Sequence, residues 1–213
     1  MTGPVPAYLD EPLRVYLDDA ASGKPAPGGG SVSACVGALG AALVAMVCNL
    51  TVGREKFAAV DAELRRLLVR AETLRARLQG LLQEDTAAYS GVIAAYRLPK
   101  ETDEERAARH AAIQDGLRCA AAVPLETARV ALEVCRLALT AAEKGNPQAV
   151  TDAGIAALLG EAAVVGAALN VRINLGAIED QGYVRATGEE LDRLEAEAAG
   201  LREAVLAATR ARL

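Results

Sequence analysis

The run PAPGGGS, Pro25–Ser31, continues as VSACVGALGAALVAMVCNLTVG to Gly53, and no Asp, Glu, Lys or Arg interrupts it between Lys24 and Arg54. Three successive glycines leave a backbone with no Cβ to hold a neighbour off. A helix opening at that point presents unsatisfied N–H groups and the positive end of its dipole to whatever meets the glycines. Two readings are open: a tight turn into a buried helix, or a place where an oxyanion, a carboxylate or another helix comes close. Under either, a helix over about Val32–Val52 is apolar on all sides, as the centre of a bundle requires. A membrane span competes, because the length suffices. The stretch is dominated by Ala, Gly, Ser and Val, contains Asn49 and Thr51, and lacks aromatic anchors or a basic flank, so the bundle is preferred and no membrane association is expected.

Outward from this helix the chain reads as helices throughout. Upstream, Asp10 is placed to cap a helix to about Ala21, with Pro12 in its first turn and Leu13, Tyr16, Leu17 and Ala20 on one face. Downstream, Phe57–Tyr96 carries a leucine stripe among arginines and glutamates and stops before Pro99. Thr102 with Glu105 has the residue types of a capping box, and Pro124 marks a kink or a new start. Gly145 ends the next element, Asn146 and Pro147 open another, and Ala149 to about Asn170 is a second small-residue apolar helix. Thr187 with Glu190 is a second capping-box pattern, expected to open a terminal helix to Arg212. No segment alternates with period two and no internal repeat is visible. The expectation is an all-α single domain over 1–213, a bundle of about six or seven helices with the two apolar ones at its centre.

Composition agrees. The 213 residues are 52% hydrophobic and 3% aromatic, with no Trp and a net charge of -5, which is helix-former composition with small-residue packing. Without a basic cluster, nucleic acid is excluded as a partner. Met1–Asp10 holds prolines and an acid where a secretory signal places a basic region and an apolar core, so a cytoplasmic location is expected. Cys35, Cys48, Cys119 and Cys135 lack metal-ligand spacing and are read as reduced thiols packed as small hydrophobes. The single His110 sits on a charged helix face, and no metal site is expected.

The polar residues on or near the two apolar helices are then informative. Asn49, Asp152, Asn170 and Asn174 each either satisfy a backbone group or face a cavity, because burying them unpaired is costly. Asn170 and Asn174 share a helix face if the helix persists. Asp85 lies where the long helix becomes rich in Ala, Val, Tyr and Gly. It is either an exposed acid or a partly desolvated carboxylate whose pKa is moved toward a useful acid or base value.

Read in order, Pro27-Gly28-Gly29-Gly30-Ser31, Asn49-Leu50-Thr51-Val52-Gly53 with Lys56 behind it, Asp85, Leu98-Pro99-Lys100, Arg109, Val123-Pro124-Leu125, Asn146, Asp152, Asn170-Val171 and Asn174-Leu175 resemble the cyclodeaminase family. That family comprises the C-terminal domain of formiminotransferase-cyclodeaminase and stand-alone bacterial methenyltetrahydrofolate cyclohydrolases. The resemblance spans about the whole chain and implies chemistry on tetrahydrofolate one-carbon adducts. One reaction closes 5-formiminotetrahydrofolate to 5,10-methenyltetrahydrofolate with loss of ammonia; the other opens the methenyl ring with water to 10-formyltetrahydrofolate. Both pass through a tetrahedral carbon between N5 and N10, so a carboxylate and a proton shuttle are expected and no cofactor beyond the folate.

Asp85 and Asp152 are the catalytic candidates that the resemblance implies, one as general acid/base and the other as electrostatic partner. Asn49, Asn170 and Asn174 are candidates to hold the pterin or orient water. Lys56, Arg109 and the Gly28, Gly29, Gly30 and Ser31 backbone are candidates for the glutamate tail. No transferase sequence accompanies the chain, which leans the expectation toward cyclohydrolase or dual activity. A homodimer, or a dimer of dimers, is expected from the small-residue helix faces and from Leu191, Leu194, Ala198, Leu201 and Val205 at helical spacing on the terminal helix. The alternative is a non-catalytic helical folate-binding or scaffold protein that keeps the fold without the chemistry.

Overall fold

The computed structural model describes residues 7–213, so the reading of Met1–Asp10 falls largely outside the described residues. Among them are six α-helices and no strand: α1 Leu13–Ala20, α2 Gly29–Asn49, α3 Asp61–Tyr96, α4 Asp103–Lys144, α5 Val150–Leu175 and α6 Gln181–Arg210. Four expected starts move: Asp10 does not cap α1, which opens after Pro12 with no side-chain cap, and α2 opens at Gly29, three residues before Val32. Phe57 lies in a 3₁₀ segment, Glu55–Val60, with non-helical dihedrals of its own, so α3 begins at Asp61. The terminal helix opens at Asp180, whose side chain accepts from the Tyr183 N–H. Thr187 is a buried residue inside α6, so the Thr187–Glu190 pattern caps nothing there.

The capping box at Thr102 and Glu105 forms as its residue types require, and Asn146 caps the turn that Pro147 opens. Pro124 neither breaks nor restarts its helix; α4 runs through it, making one element of the expected fourth and fifth. A proline inside a helix removes the N–H that would serve the carbonyl four residues back, here Ala120. That acceptor is filled from outside: Asn174 Nδ2 on α5 donates to the Ala120 carbonyl at 3.1 Å.

α2 and α5 are antiparallel neighbours. A Cβ on Gly37 would lie 3.3 Å from that of Ala163, and one on Gly40 only 3.1 Å from the Ala156 carbonyl oxygen. Small residues at these crossings let the backbones close up. The core then fills with Leu64, Leu78 and Leu81 from α3, Leu132 and Val134 from α4, and Leu191 and Val205 from α6. Leu191, Ala198 and Val205, expected on a dimer face of the terminal helix, are instead buried in the core, which leaves the α2 and α5 faces as the basis for a dimer. α2 and α5 are central but not enclosed. α2 exposes Val32, Leu39 and Met46, seven residues apart, and α5 exposes Ile155, Leu158, Val165, Leu169 and Ile173. Both are long and apolar enough to span a bilayer, and about half of each stretch, 56% and 50%, is buried in the bundle.

The loops at the far end of the bundle are locked together. Thr51 Oγ1 donates to the Val47 carbonyl at 2.6 Å and accepts from the Asn146 N–H at 2.8 Å, while Asn146 Nδ2 donates to the Leu50 carbonyl. Gly53, with φ +75, makes the turn that only glycine adopts without strain. Of the four thiols, Cys48 and Cys135 are buried, Cys35 is half-buried and all are unpaired; Cys119 is exposed, contrary to the expectation that it packs inside.

Candidate active site

The glycine turn is where α2 meets α3 and α5, Gly30 lying against Asp85 and Gly29 against Asn170. Gly28, at the N-cap of α2, has no side chain to bond the first turn, and no other side chain caps that end in the usual way. The cap is supplied by a different helix: the Asp85 carboxylate, projecting from α3, accepts the Ser31 N–H. It fits because Gly30 has no Cβ. One built there would lie 2.6 Å from Asp85 Cγ and 2.8 Å from Oδ2. One on Gly29 would meet the Asn170 amide, 2.9 Å from Nδ2. The successive glycines thus let one helix end touch a carboxylate on one side and an amide on the other.

Two influences act on Asp85 in opposite directions. Burial against the bundle raises its pKa, and the Ser31 N–H lowers it; burial is the larger, and the carboxyl is pushed up from 3.8 to about 6. The sequence left Asp85 between an exposed acid and a desolvated one, and the structure selects the second. Within the same corner the Tyr16 hydroxyl lies 3.0 Å from Ser31 Oγ, both groups being buried.

Asn170 and Asn174 remain on one helix, four residues apart, and both spend their N–H groups on backbone. Asn170 Nδ2 donates to the Gly166 carbonyl at 2.8 Å, and Asn174 Nδ2 donates to the Ala120 and Asn170 carbonyls at 3.1 and 2.9 Å. Among the described residues, neither Oδ1 accepts a hydrogen bond. Arg109, near the start of α4, bonds the Tyr96 carbonyl at 3.3 and 3.1 Å and stacks over that ring. Tyr96 is eleven residues beyond Asp85 on the same helix, about 16 Å at helical rise.

The remaining sequence candidates lie elsewhere. With α2 and α5 antiparallel, Gly29 meets Asn170 and Gly40 meets Ala156, which puts Asp152 at the opposite end of the bundle. Eighteen residues of α5 separate Asp152 from Asn170, about 27 Å. Asn49 is as far from Gly30 along α2. Lys56 is beyond it, exposed, its ammonium over the Phe57 ring at 4.7 Å. One chain therefore does not pair Asp152 with Asp85. Asn49 instead lines a shallow cleft of about 390 Å³ with Met46, Leu50, Glu72 and Arg75. His110, read as a solvated helix residue, is exposed and bonded to Glu179. Sequence reading missed Tyr16 as a site residue by placing it on a core stripe. The available signal was that a tyrosine is buried only where its hydroxyl finds a partner.

The all-helical bundle thus holds the half-buried Asp85 carboxylate against the glycine backbone at a helix terminus. The formiminotransferase-cyclodeaminase family model matches residues 12–193, and the chain belongs to that family. It is 46% identical over 196 residues to a methenyltetrahydrofolate cyclohydrolase of Methylorubrum extorquens, covering 92% of this chain and 94% of that one. It is 38% identical over 211 residues to the formimidoyltransferase-cyclodeaminase of Rattus norvegicus, covering 99% of this chain and 39% of that protein; this chain thus spans about two fifths of the larger relative. The formiminotetrahydrofolate cyclodeaminase of Thermotoga maritima has the same fold, with a TM-score of 0.86 at 31% identity over 96% of this chain and 98% of that one.

Proposed function

We propose that this chain is a tetrahydrofolate one-carbon enzyme that opens 5,10-methenyltetrahydrofolate to 10-formyltetrahydrofolate and can also close 5-formiminotetrahydrofolate with loss of ammonia, with Asp85 as the proton shuttle. The observation that carries this is the Asp85 carboxylate, pushed up to about 6 beside the bare first turn of α2. A group with that pKa exchanges protons in both directions near neutrality. The relative at 46% identity is named for the first reaction, which sets the preference between the two.

In ring opening, water adds to the methenyl carbon while Asp85 takes one of its protons. The C–N5 bond of the resulting carbinol then breaks as Asp85 returns that proton to N5, and the carbinol O–H proton leaves to solvent. In ring closure, N10 adds to the protonated formimino carbon, and Asp85 carries the N10 proton to the departing nitrogen, which leaves as ammonia. The free N–H groups of the α2 terminus suit the oxygen that gains charge in the first reaction. The unclaimed Asn170 and Asn174 Oδ1 atoms suit N–H donors of a pterin. Arg109, farther out on the same half of the bundle, suits a tail carboxylate.

The residues at the other end are accounted for by a homodimer. Exposed apolar residues run along both helices, Val32, Leu39 and Met46 on α2 and Ile155, Leu158, Val165, Leu169 and Ile173 on α5, and an apolar face of this kind suits an interaction surface. A two-fold axis through its middle carries the partner's Asn49, Lys56 and Asp152 toward the glycine end of the first chain. The enzyme is assigned to the cytoplasm, with tetrahydrofolate derivatives as its small-molecule partners and no cofactor or metal. A non-catalytic scaffold is the weaker reading, because holding Asp85 at a raised pKa costs stability that a scaffold has no reason to forgo.

The test is Asp85→Asn, assayed with each folate by following the methenyl chromophore. Loss of about two to four orders of magnitude in turnover is expected. Turnover within twofold of wild type removes Asp85 from the mechanism.

A further inference from the structure

α1 is weakly anchored to the bundle by its apolar residues. Leu13 and Leu17 are 67% and 57% exposed, and Tyr16 is the one buried residue of the helix. Its ring meets Tyr8 edge-on at 5.2 Å, and its hydroxyl is spent on Ser31 Oγ at 3.0 Å. Tyr8 in turn takes hold of α3: its N–H donates to Gln83 Oε1 at 3.3 Å, two residues before Asp85, while its hydroxyl donates to Asp19, which is paired with Lys24. The two tyrosines therefore bridge the helices whose meeting creates the site, Tyr8 on the Asp85 helix and Tyr16 on the glycine helix. Ser31 is bonded from both ends, its hydroxyl by Tyr16 and its N–H by Asp85.

We infer that Tyr16 is a positioning residue, whose buried hydroxyl holds Ser31 so that the first turn of α2 keeps its N–H aimed at the Asp85 carboxylate. The inference rests on Asp85 being the proton shuttle. The geometry leaves the Tyr16 hydroxyl no other partner among the described residues, and an unpaired hydroxyl in that position would be costly.

The titratable groups around the Tyr16 hydroxyl are Asp85 from α3, Cys35 from α2 and Tyr8 from the segment before α1; α5 contributes the neutral Asn170 beside Gly29. Burial raises the Cys35 thiol above its ordinary value and pushes the Tyr8 and Tyr16 hydroxyls up to about 12. Asp85 is therefore the member of this group that titrates between pH 5 and 8, and a change in that window reports on it.

The variant is Tyr16→Phe, which keeps the ring and removes the hydroxyl. Because the Ser31 N–H lowers the Asp85 pKa, loosening Ser31 moves it up. The expected result is an Asp85 carboxyl carbon, followed by NMR in the full chain without substrate, that titrates several tenths of a pH unit higher than in wild type. The acid limb of kcat moves with it, and kcat itself falls roughly three- to tenfold, the worth of one buried hydrogen bond expressed as a rate, with KM little changed. Ser31→Ala removes the same bond from the other side and is expected to give the same titration shift, the double variant being no worse than either single one. An unmoved Asp85 titration in Tyr16→Phe, with Asp85→Asn inactive, overturns the role of Tyr16 and leaves the shuttle standing. An active Asp85→Asn overturns the shuttle itself. If Tyr16→Phe does not fold by circular dichroism, Ser31→Ala decides: a shift supports the inference and its absence refutes it.

Discussion

Asp85→Asn should make the protein more stable at neutral pH while abolishing its activity. Burial pushes the carboxyl up to about 6 in the fold from its ordinary value of 3.8, so the native state favours the protonated form. The native chain then binds more protons than the unfolded one between these two values, and stability falls as pH rises through that window. Below 3.8 the two states hold the proton alike and the deficit vanishes; above 6 it is complete and constant. At 1.36 kcal/mol per unit of difference, the complete deficit is about 3 kcal/mol. The opposing pull of the Ser31 N–H is already contained in that net value. Asparagine is of the same size, still offers an oxygen to Ser31 and carries no charge to desolvate. The assay is urea unfolding of wild type and variant at pH 4 and pH 7.5. The stability difference between them should shift in the variant's favour by about 2 to 3 kcal/mol between the two pH values, a large share of what a domain possesses. The same difference at both pH values, or one that moves toward wild type at pH 7.5, refutes the desolvated carboxylate.

Alanine at the glycine turn should be graded by what the new Cβ meets. Gly30→Ala strikes the Asp85 carboxyl and should cost about 1 to 3 kcal/mol by denaturation, whereas Gly28→Ala, with nothing within 4 Å, should stay within about 1 kcal/mol of wild type. Asn174→Ala should cost about 1 to 3 kcal/mol by leaving the Ala120 carbonyl bare, and less in a Pro124→Ala background, where the chain's own N–H fills that acceptor; equal costs in both backgrounds would deny the compensation. Leu39→Lys on the exposed stripe should reduce the mass by light scattering from dimer to monomer, and a wild type already monomeric at micromolar concentration would rule out the dimer.

Local chemistry was legible in the sequence wherever one residue's neighbours along the chain decide its role. Thr102 with Glu105 and Asn146 with Pro147 bond the groups their types suit. Thr187 with Glu190 misled because the same residue types also pack inside a helix: Thr187 faces the core, and the N-cap belongs to Asp180. Pro124 misled because its cost in α4 is offset by Asn174, fifty residues away in sequence. At the site, the bare backbone at Gly28–Ser31 and the ambiguous acid at Asp85 were both visible, but that they touch was not. Their meeting depends on how α2 lies against α3. Pairing Asp85 with Asp152 failed within one chain for the same kind of reason. The antiparallel register of α2 and α5, fixed by Gly37, Gly40, Ala156 and Ala163, sends the two carboxylates to opposite ends.

The glycine turn matters because of the balance it sets on a single proton. A carboxylate at an exposed helix terminus is favoured as the anion by the N–H groups and dipole, which makes it a poor acid near neutrality. A carboxylate buried without any donor is held protonated and is a poor base. Asp85 stands between these limits because Gly30 admits it to the terminus of α2 while the surrounding helices exclude water. Adding a Cβ at Gly30 shifts that balance from one side, and releasing Ser31 from Tyr16 shifts it from the other. On the proposed mechanism, the same desolvation that lowers stability at pH 7.5 fits Asp85 to exchange a proton with N5, N10 or water, and a variant that recovers the stability gives up the chemistry.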